Sequence, residues 1–462
     1  MTISIILAAG EGTRMKSKKP KVLHSICGKP LISYVIKASK GANVDKNVIV
    51  VGHGGDKVRE EIEGSGIEFV AQPIGENIPY GTGFAVMQGK DYIKDDSCVI
   101  ILYGDTPLIT SNTLNEFINY HNMNKNDCTV LTASMDDPTG YGRIIRDKSG
   151  NILSIVEHKD ATDEQRKIKE INSGIYCFNG RLLKYALEKI DSNNAQNEYY
   201  ITDVIKVLKG EGYKVGAYKI EDPTEIYGIN SRVQLAYAEK ILRKRINEKF
   251  MLDGVTLIEP ENTYIEDEVK IGRDTVVYPG AIIQGDTEIG EDCVIGHNSR
   301  IVSSKIGDRV EVQISTILES TVDNDTKVGP YAYLRPKSHI GKNVKIGDFV
   351  EVKNSTVGDY SKASHLSYIG DAQVGKHVNV GCGVVFVNYN GKIKQKSIVE
   401  DNAFIGSNSN LVAPVTVREW GYVAAGSTIT DEVEEGDLSI ARARQVNKKG
   451  WIDKKGFRKD NK

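Results

Sequence analysis

The stretches IGEDCVIG (289–296), IGKNVKIG (340–347) and VGKHVNVG (374–381) decide the fold of the second half of this chain. In each of them, an aliphatic residue followed by glycine returns after six residues. Units of this length can form the sides of a triangular coil, because each coil stacks its aliphatic side chain on the next and needs small residues where the chain turns. The pattern predicts a β-solenoid, but it says nothing about chemistry.

The first half of the chain has a different texture, in which short β-branched runs alternate with helical stretches. The runs are ISIILAA (3–9), NVIVVG (47–52), IEFVAQ (67–72), CVIILYGD (98–105) and CTVLTAS (128–134). Such alternation predicts an α/β domain with a largely parallel, Rossmann-like sheet. Residues 231–251 contain neither glycine nor proline and predict a linking helix. We therefore expect an α/β domain at 1–230, a helical linker at 231–251 and the solenoid with a polar tail at 252–462.

The composition excludes several classes of partner. The 462 residues carry 60 basic and 62 acidic side chains, a formal charge of −2, so the protein has no general attraction for nucleic acid or anionic lipid. No apolar run approaches the roughly 20 residues of a membrane span. The six cysteines form no C-x-x-C pair, which argues against a disulfide framework and against a zinc site. We expect a soluble cytoplasmic protein that binds no nucleic acid and does not insert into membranes.

The first strand leads into the loop LAAGEGTRMKS (7–17), whose small residues let backbone N–H groups approach a phosphate. Its spacing is neither that of a Walker A motif nor that of a dinucleotide fingerprint. Arg14 and Lys21 are placed to offset the charge of a triphosphate as pyrophosphate leaves. The alternative is an ordinary basic surface loop after a strand.

The strand CVIILYGD ends in Asp105, at the edge of a parallel sheet where ligands bind. A carboxylate at this edge suits Mg²⁺, which prefers oxygen ligands and keeps phosphate oxygens in its coordination shell. The alternative is an aspartate that only forms a turn before Pro107.

These segments, together with QPIGENIPYGTG (72–83), GYGRI (140–144), IVEHKDAT (155–162) and INSGIY (171–176), resemble the sugar-phosphate nucleotidyltransferase family. The resemblance implies in-line attack by a sugar 1-phosphate on the α-phosphorus of UTP, a reaction that needs no general base. It also implies the following roles: nucleotide contact by Leu7, Ala8, Ala9, Gly10, Tyr103 and, at the phosphates, Lys21; base recognition by Gln72, Gly81 and Thr82; sugar contact by Gly140, Glu157 and Asn172; and Mg²⁺ binding by Asp105 and Asn230.

Three segments interrupt the aliphatic-glycine rhythm of the solenoid, and such breaks are where a repeat protein tends to carry function. They are YAYLRPKSHI around Arg335, VEVKNS around Lys353, and SHLSYIG with His365 and Tyr368. A histidine with a tyrosine three residues on suggests a general base for an amine nucleophile. The alternative is a histidine on a polar surface. A further interruption at 378–397 contains Asn379 and the pair Asn388-Tyr389.

With SIARARQ (439–445) and KKGW (448–451), these interruptions resemble a family of bifunctional enzymes. Its members join N-acetylglucosamine-1-phosphate uridyltransferase to glucosamine-1-phosphate N-acetyltransferase and supply precursors of peptidoglycan and lipopolysaccharide. The resemblance implies a left-handed parallel β-helix, a homotrimer, and acetyl-CoA between neighbouring subunits. It implies these site residues: His365 as base, oriented by Glu351; Arg335 and Lys353 on the sugar phosphate; Tyr368 and Asn379 positioning the substrate; and Cys382, Asn388, Tyr389, Ser407, Ala425 and Arg442 on acetyl-CoA.

Two positions depart from the family pattern. Cys382 replaces a small alanine, and Asn390 replaces the aspartate of an N-Y-D-G segment. A nucleophilic role for Cys382 is conceivable, but an amine can attack a thioester directly. Two other functions stay open at this point: a nucleotidyltransferase whose solenoid is only a scaffold, and a non-enzymatic scaffold. The interruptions argue against the first, and the intact loop with Asp105 and Asn230 argues against the second.

Overall fold

The computed structural model describes residues 1–64, 66–76, 78–194 and 196–458. The last four residues of the predicted polar tail, 459–462, therefore lie outside the described residues, as does Asn77 of the QPIGENIPYGTG segment. The chain divides into two compact units, Met1–Leu242 and Arg243–Lys462. The long helix described below, Arg232–Leu252, nearly coincides with the predicted linker at 231–251, and the division into three segments stays a prediction.

Within the described residues, the amino-terminal unit is built on a nine-stranded mixed sheet with the order β11-β7-β10-β6-β1-β4-β5, to which β8 and β9 attach through β10. The strands are β1 (Thr2–Ala8), β2 (Ser25–Ile26), β3 (Lys29–Pro30), β4 (Lys46–Val51), β5 (Ile67–Ala71), β6 (Cys98–Tyr103), β7 (Cys128–Ser134), β8 (Arg143–Arg146), β9 (Ile152–Val156), β10 (Glu170–Asn179) and β11 (Val215–Lys219). The short β2 and β3 form a separate ladder. The helices are α1 (Leu31–Gly41), α2 (Gly55–Glu61), α3 (Thr82–Gln88), α4 (Ser111–Met123), α5 (Asp163–Arg166), α6 (Gly180–Leu187), α7 (Ile201–Gly210) and α8 (Arg232–Leu252).

Strand β1 lies at the centre of the nine-stranded sheet and pairs in parallel with β4 and with β6. Its side chains alternate between two buried cores, so that Ile6 packs in one and Ile5 in the other. A strand that is buried on both faces reads as a continuous apolar run, which is why the sequence revealed it. All five predicted runs are strands of this sheet. Because β1, β4, β5 and β6 are parallel, their carboxyl ends meet at one edge.

The sheet is mixed because β10 runs antiparallel to both β6 and β7. Its register shifts between Asn172 and Tyr176, in a bulge that turns the Asn172 side chain. The predicted α/β fold with a Rossmann-like mixed sheet is thus confirmed, and the antiparallel strand places Asn172 toward the edge that carries Asp105.

The carboxy-terminal unit is a parallel β-helix whose described strands form three solenoid sheets. The first contains β12 (Thr256–Leu257), β15 (Val276–Val277), β18 (Val294–Ile295), β21 (Glu311–Val312), β24 (Lys327–Val328), β27 (Lys345–Asp348), β30 (Lys362–His365), β33 (Asn379–Val380), β36 (Phe404–Ile405), β39 (Tyr422–Val423) and β41 (Leu438–Ser439). The second contains β13 (Tyr264–Ile265), β16 (Ile282–Gln284), β19 (Arg300–Val302), β22 (Thr316–Leu318), β25 (Tyr333–Leu334), β28 (Glu351–Lys353), β31 (Tyr368–Gly370), β34 (Val385–Val387), β37 (Asn410–Val412) and β40 (Thr428–Ile429). The third contains β14 (Lys270–Ile271), β17 (Glu288–Ile289), β20 (Lys305–Ile306), β23 (Thr321–Val322), β26 (His339–Ile340), β29 (Thr356–Val357), β32 (Ala372–Val374), β35 (Ser397–Val399) and β38 (Val415–Val417). A short helix, α9 (Trp451–Lys454), follows.

From β12 to β37, each strand of the solenoid pairs with the third strand after it, so that one coil visits all three solenoid sheets; at the end of the solenoid, β39 pairs with β41. The predicted left-handed parallel β-helix is confirmed, an exception to the right-handed rule for parallel crossovers. The coil that begins at Ala372 is longer than the one before it, because Thr356 pairs with Gln373 whereas Ala372 pairs with Ser397. The additional chain forms a hairpin at 388–396, closed by a bridge between Tyr389 and Lys394.

None of the described helices is long and apolar enough to cross a membrane.

Candidate active sites

The loop after β1 is held at the carboxyl edge of the nine-stranded sheet. The Gly104 N–H donates to the Leu7 carbonyl, and the His53 N–H donates to that of Ala9. Gly10 faces open space, since a Cβ there would meet no atom within 4 Å. Gly12 has a positive φ of 67°, and a Cβ there would lie 2.7 Å from Cβ of Lys21. The loop therefore needs glycine at position 12 to let the Lys21 stem pass.

Lys21, Asp105 and Asn230 meet at this edge although they are far apart in sequence. Lys21 Nζ forms an ion pair with Asp105 and donates to Asn230 Oδ1 at 3.0 Å. The Ile229 N–H donates to the Asp105 carbonyl at 2.9 Å, which fixes Asn230 beside the carboxylate. The Lys21 and Asp105 side chains are only 14% and 13% exposed. Two side-chain oxygens thus converge on one cationic nitrogen, the oxygen-donor arrangement that suits a hard divalent cation.

Arg14, the other basic residue predicted to contact the triphosphate, has no hydrogen bond to Asp105 or Asn230 among the contacts described above. Arg14 is exposed on the 3-10 turn Thr13–Met15, whose Met15 is buried. Its predicted role at the triphosphate stays a prediction.

The residues predicted to read the base lie along the same edge. Gln72 follows β5 and is buried, and its N–H donates to the Val51 carbonyl. Gly81 immediately precedes α3 and lies against the backbone of Tyr199. The Thr82 hydroxyl accepts from the Ile201 N–H at 3.1 Å and also bonds the Tyr103 hydroxyl. Burial, and then the charges of Asp105 and Glu157, raise the pKa of Tyr103, which therefore stays a neutral phenol.

Glu157 and Asn172 lie on either side of Gly142. A Cβ on Gly142 would be 3.5 Å from Glu157 Oε1 and 3.5 Å from Cβ of Asn172. The Asn172 Nδ2 donates to the Tyr176 hydroxyl at 2.7 Å, and its N–H donates to the Gly142 carbonyl. Burial, and then Asp160 and Asp203, raise the pKa of Glu157.

Gly142, and not Gly140, lies against Glu157 and Asn172. Gly140 has a positive φ of 86°, and a Cβ there would meet no atom within 4 Å, so its backbone is open to a ligand. The predicted contact of Gly140 with the sugar stays a prediction.

In the second unit, His365 lies at the end of β30, at the corner between the first and second solenoid sheets. Its Nδ1 lies 2.6 Å from Asp348 Oδ1. The two residues are paired in register on neighbouring coils. The hydrogen bond with His365 lowers the pKa of Asp348, which keeps that carboxylate ionised. An imidazole that donates from Nδ1 to a carboxylate presents Nε2 as a proton acceptor.

The carboxylate predicted to orient His365 was Glu351, and the structure places it differently. Glu351 accepts a hydrogen bond from Arg335 Nη1 at 2.8 Å, and this contact raises the pKa of Arg335. Glu351 lies in the second solenoid sheet, one coil before Tyr368. Asp348 was missed, although it stands one coil before His365 in the repeat and the period of the repeat could have pointed to it.

Predicted acetyl-CoA residues continue the column that Asp348 and His365 begin. The register pairs Asn379 with Phe404 and Phe404 with Tyr422, and so aligns Cys382 with Ser407 and Ser407 with Ala425. Arg442 donates from Nη1 to the Ala425 carbonyl at 2.9 Å. Coils in such a column are about 4.8 Å apart, so the column extends over about 20 Å. This length fits an elongated cofactor.

A second polar group lies on the second solenoid sheet and at its far corner. Asp371 accepts from Lys353 Nζ at 3.1 Å, from Asn388 Nδ2 at 2.5 Å and from Asn354 Nδ2 at 2.6 Å. Asn388 also donates to the Tyr368 hydroxyl at 3.2 Å. Although burial raises the pKa of Asp371, these three partners lower it overall, so the carboxylate stays charged.

Tyr368 keeps its place because residue 370 is glycine. A Cβ on Gly370 would collide with the Tyr368 ring and hydroxyl. The Tyr368 side chain therefore lies flat across the strand toward Asn388.

The hairpin at 388–396 brings a third cation to Arg335 and Lys353. Lys394 contacts Lys353, and this contact, with the nearby charge of Arg335, lowers the pKa of Lys394. Glu351 pairs with Arg335 and Asp371 pairs with Lys353, so two carboxylates partly offset the three positive charges, and a bound phosphate would offset them further. Lys394 was not predicted, because only the folded hairpin carries it back to Lys353.

Two of the remaining predicted site residues lie outside the cluster around Asp371 and Tyr368. Asn379 lies in β33 on the outer face of the first solenoid sheet, and Tyr389 is exposed on the hairpin, where its hydroxyl donates to the Gly391 carbonyl.

Comparison with known proteins gives matches to both units. Residues 3–223 match the model of the nucleotidyl transferase family. Residues 268–303 and 319–354 match the bacterial transferase hexapeptide model, and residues 397–431 match the hexapeptide repeat of succinyl-transferase.

Curated relatives are similar over the whole chain. The protein called bifunctional protein GlmU from Clostridioides difficile is 57% identical over 99% of this chain and 98% of its own length. Proteins of the same name from Acetivibrio thermocellus and Alkaliphilus metalliredigens are 57% and 55% identical, and the matches cover at least 99% of both chains.

The Asp371 cluster generates a prediction about the hairpin. Asp371→Ala removes the shared acceptor of Lys353, Asn354 and Asn388, and hydrogen bonds to a charged group are each worth about 1.5–3 kcal/mol. We expect limited trypsin digestion at Lys392 and Lys394 to become about tenfold faster.

Asp359→Ala is the matched control, since its carboxylate likewise forms an ion pair with a lysine, Lys376, but lies outside the hairpin's cluster. Equal rates of hairpin cleavage in the two variants would show that Asp371 does not anchor the hairpin.

Proposed function

The chain belongs to the family of bifunctional GlmU proteins, and from this we propose that it makes UDP-N-acetylglucosamine by two successive transfers. The solenoid transfers an acetyl group from acetyl-CoA to the amine of glucosamine 1-phosphate. The amino-terminal unit then transfers a uridylyl group from UTP to the N-acetylglucosamine 1-phosphate formed and releases pyrophosphate. The observation that carries this proposal is the presence, in one chain, of an oxygen-donor site at a sheet edge and a His365–Asp348 pair beside a cluster of cations.

The metal of the uridylyl site is Mg²⁺ in this proposal, held by Asp105 and Asn230. Their two oxygens already converge on a cation, the Lys21 ammonium. Bound Mg²⁺ supplies Lewis-acid charge that offsets the negative charge on the triphosphate. Lys21 adds a positive charge at the same place and binds phosphate oxygens.

The phosphate of N-acetylglucosamine 1-phosphate is already an anion and can attack without a general base. One of its oxygens forms a bond to the α-phosphorus of UTP, and the bond from that phosphorus to the bridging oxygen of pyrophosphate breaks. Gly140, Glu157 and Asn172 hold the sugar, while the backbone of residues 7–10 lies along the nucleotide. Positioning and charge complementarity supply the catalysis.

Acetyl transfer needs a base, because the ammonium of glucosamine must lose a proton to become nucleophilic. His365 Nε2 accepts that proton, and the charged Asp348 stabilises the imidazolium that results. The amine nitrogen forms a bond to the thioester carbonyl carbon, and coenzyme A leaves as a thiol. Arg335, Lys353 and Lys394 form the site for the sugar phosphate.

The cofactor lies along the column of Cys382, Ser407 and Ala425 in this proposal, with Arg442 at the end of the column near its phosphates. The Cys382 thiol contacts the cofactor and is not a nucleophile, because the reaction proceeds by direct attack. Asn379 helps to position the sugar substrate and Tyr389 contacts acetyl-CoA in this proposal, although both residues lie outside the cluster around Tyr368.

We propose that the protein forms a homotrimer. The proposed interface consists of residues that follow strands of the first solenoid sheet, at the same corner as His365. Tyr331, Phe349 and Leu366 occur on successive coils there and are 53%, 58% and 57% exposed. All three have a positive φ, as do Asn298 and Asn408 at the same turn of other coils, so this turn geometry is common in the solenoid. Tyr331 and Phe349 stack with ring centroids 5.3 Å apart. An exposed apolar ridge of this kind indicates a surface that a second copy covers.

The cytoplasm is the proposed location. No disulfide joins the cysteines in the described part of the chain, which fits a reducing compartment, and the co-substrates acetyl-CoA and UTP are made there.

The first test concerns the uridylyl site. We expect Asp105→Asn to slow pyrophosphate release from UTP and N-acetylglucosamine 1-phosphate by about 10²–10³, the usual loss when a group that stabilises developing charge is removed. Thiol release from acetyl-CoA should not change, and the exposed Asp91→Asn should leave both rates alone. An equal loss of both activities in folded Asp105→Asn protein would refute the separation of the two sites.

The second test distinguishes the two carboxylates near the acetyl-transfer site. His365→Ala should slow thiol release by about 10²–10⁴, the scale for loss of a general base. Asp348→Asn should lower kcat less and shift the pH profile of kcat, because the imidazolium loses its neighbouring charge. Glu351→Gln should instead raise KM for the sugar phosphate through Arg335. A shifted profile in Glu351→Gln and an unchanged one in Asp348→Asn would reverse the assignment.

The third test concerns the trimer. Phe349→Asp places a charge in the apolar ridge, and we expect sedimentation velocity to show monomers with acetyl transfer lowered at least tenfold, because each acetyl-CoA site needs its neighbour. Tyr360→Asp is the control, since Tyr360 also has a positive φ and a stacked partner, His377, but follows the third solenoid sheet. Trimers that persist in Phe349→Asp would contradict the proposed interface.

A further inference from the structure

Three side chains with metal-binding atoms meet against the nine-stranded sheet, away from both sites described above. Cys98 begins β6, Cys177 lies in β10, and His121 lies in α4. One ligand atom from each lies within 4.8 Å of the other two, and the two sulfur atoms are 3.0 Å apart. Sequence spacing argued against such a site, because the three residues are widely separated along the chain. Only the pairing of β6 with β10 and the packing of α4 bring them together.

The surroundings prepare His121 as a ligand. Its Nδ1 is hydrogen bonded to the Thr129 hydroxyl at 2.8 Å, and Thr129 also accepts from Asn126 Nδ2 at 3.0 Å. A fixed partner on one ring nitrogen orients the imidazole and leaves the other nitrogen for a metal. Burial lowers the pKa of His121 to about 4, so the ring is neutral at physiological pH and no proton competes for that nitrogen.

The two cysteines differ in their surroundings. Cys98 is only partly buried, whereas Cys177 is fully buried. Their contact lowers the pKa of Cys98, whereas burial and then the same contact raise the pKa of Cys177. Deprotonation of Cys177 therefore has to accompany binding of the cation, whose charge stabilises the thiolate.

The strand register favours a metal bridge over a disulfide. Cys98 is paired with Asn179 and Ile100 with Cys177, so the two cysteines are diagonal neighbours on one face. Diagonal Cα atoms are about 7–8 Å apart, at or beyond the limit of about 7 Å for a disulfide. Two sulfurs and one nitrogen around tetrahedral zinc are about 3.3–3.8 Å apart, given bonds of about 2.3 Å and 2.0 Å. Small side-chain rotations reach that geometry from the present separations, which run from 3.0 Å to at most 4.8 Å.

We propose that Cys98, His121 and Cys177 bind one thiophilic divalent cation, zinc, with water in the fourth position. The donor set of two sulfurs and one imidazole nitrogen is the kind that selects zinc over magnesium. Binding displaces the two thiol protons into solvent, so two thiolates balance the charge of the cation. The cation would tie β6, β10 and α4 together at the end of the sheet opposite to Asp105.

The two metal sites of this proposal are separate. The chain from Cys98 to Asp105 spans about 20 Å along β6 and the turn after it. Cys128 provides a matched control, because it is buried in the core on the other face of the same sheet.

The test uses the full-length protein, freed of metal by a chelator and titrated with Co²⁺ as a spectroscopic probe. We expect one equivalent to produce thiolate-to-cobalt charge-transfer absorption, and Zn²⁺ to abolish it by displacement. Cys98→Ala should lose the absorption entirely, whereas Cys128→Ala and Asp105→Asn should keep it. Unchanged uridylyl transfer in Cys98→Ala would confirm that this variant is folded.

Thermal unfolding gives a second measurement. Zn²⁺ should raise the unfolding temperature of the unmodified chain but not that of Cys98→Ala. The proposal is overturned if no charge-transfer absorption develops, if Cys98→Ala keeps it, or if Zn²⁺ stabilises both proteins equally. Air oxidation that removes the Cys98 and Cys177 thiols as a disulfide, with no cobalt bound beforehand, would also overturn it and would identify a redox pair instead.

Discussion

Parallel strand pairing is the constraint on which both halves of this protein depend. In the first unit it aligns the carboxyl ends of β1, β4, β5 and β6, so that the loop at Gly10, Gln72 and Asp105 share one edge. In the second unit it stacks each coil on the one before, so that residues one coil apart lie about 4.8 Å apart. Each site is a consequence of this alignment, because residues that follow paired strands are necessarily neighbours.

The two sites use charge in different ways. At the first, Asp105 and Asn230 present oxygens to a cation, and the attacking phosphate is already ionised, so the reaction requires no general base. At the second, the substrate amine is protonated and must lose a proton, and the His365–Asp348 pair is the base proposed for this step. The cations Arg335, Lys353 and Lys394 lie close together beside Glu351 and Asp371, and this surface is the proposed site for the phosphate of the sugar.

A few residues and one longer coil hold the interruptions of the repeat in place. The longer coil builds the hairpin that carries Lys394, and Asp371 binds the hairpin to the second solenoid sheet through Asn388. Gly370 lets Tyr368 lie across its own strand. At the corner beside His365, Tyr331, Phe349 and Leu366 form an exposed apolar ridge. The hairpin cluster supports the proposed site for the sugar phosphate, and the ridge supports the proposed contact with a neighbouring subunit.

The sequence by itself determined the two folds and most of the chemistry. The aliphatic-glycine period fixes a solenoid because every coil obeys the same packing rule, and the apolar strand that ends in Asp105 indicates a ligand-binding edge because buried parallel strands read as continuous apolar runs. The tertiary structure alone decided which neighbours meet. It paired His365 with Asp348, left Glu351 to Arg335, and brought Cys98, His121 and Cys177 together. The physical reason is that the local sequence fixes which side chains a strand or turn presents. Contacts between strands depend instead on their register and on the path of the chain between them, which no local pattern specifies.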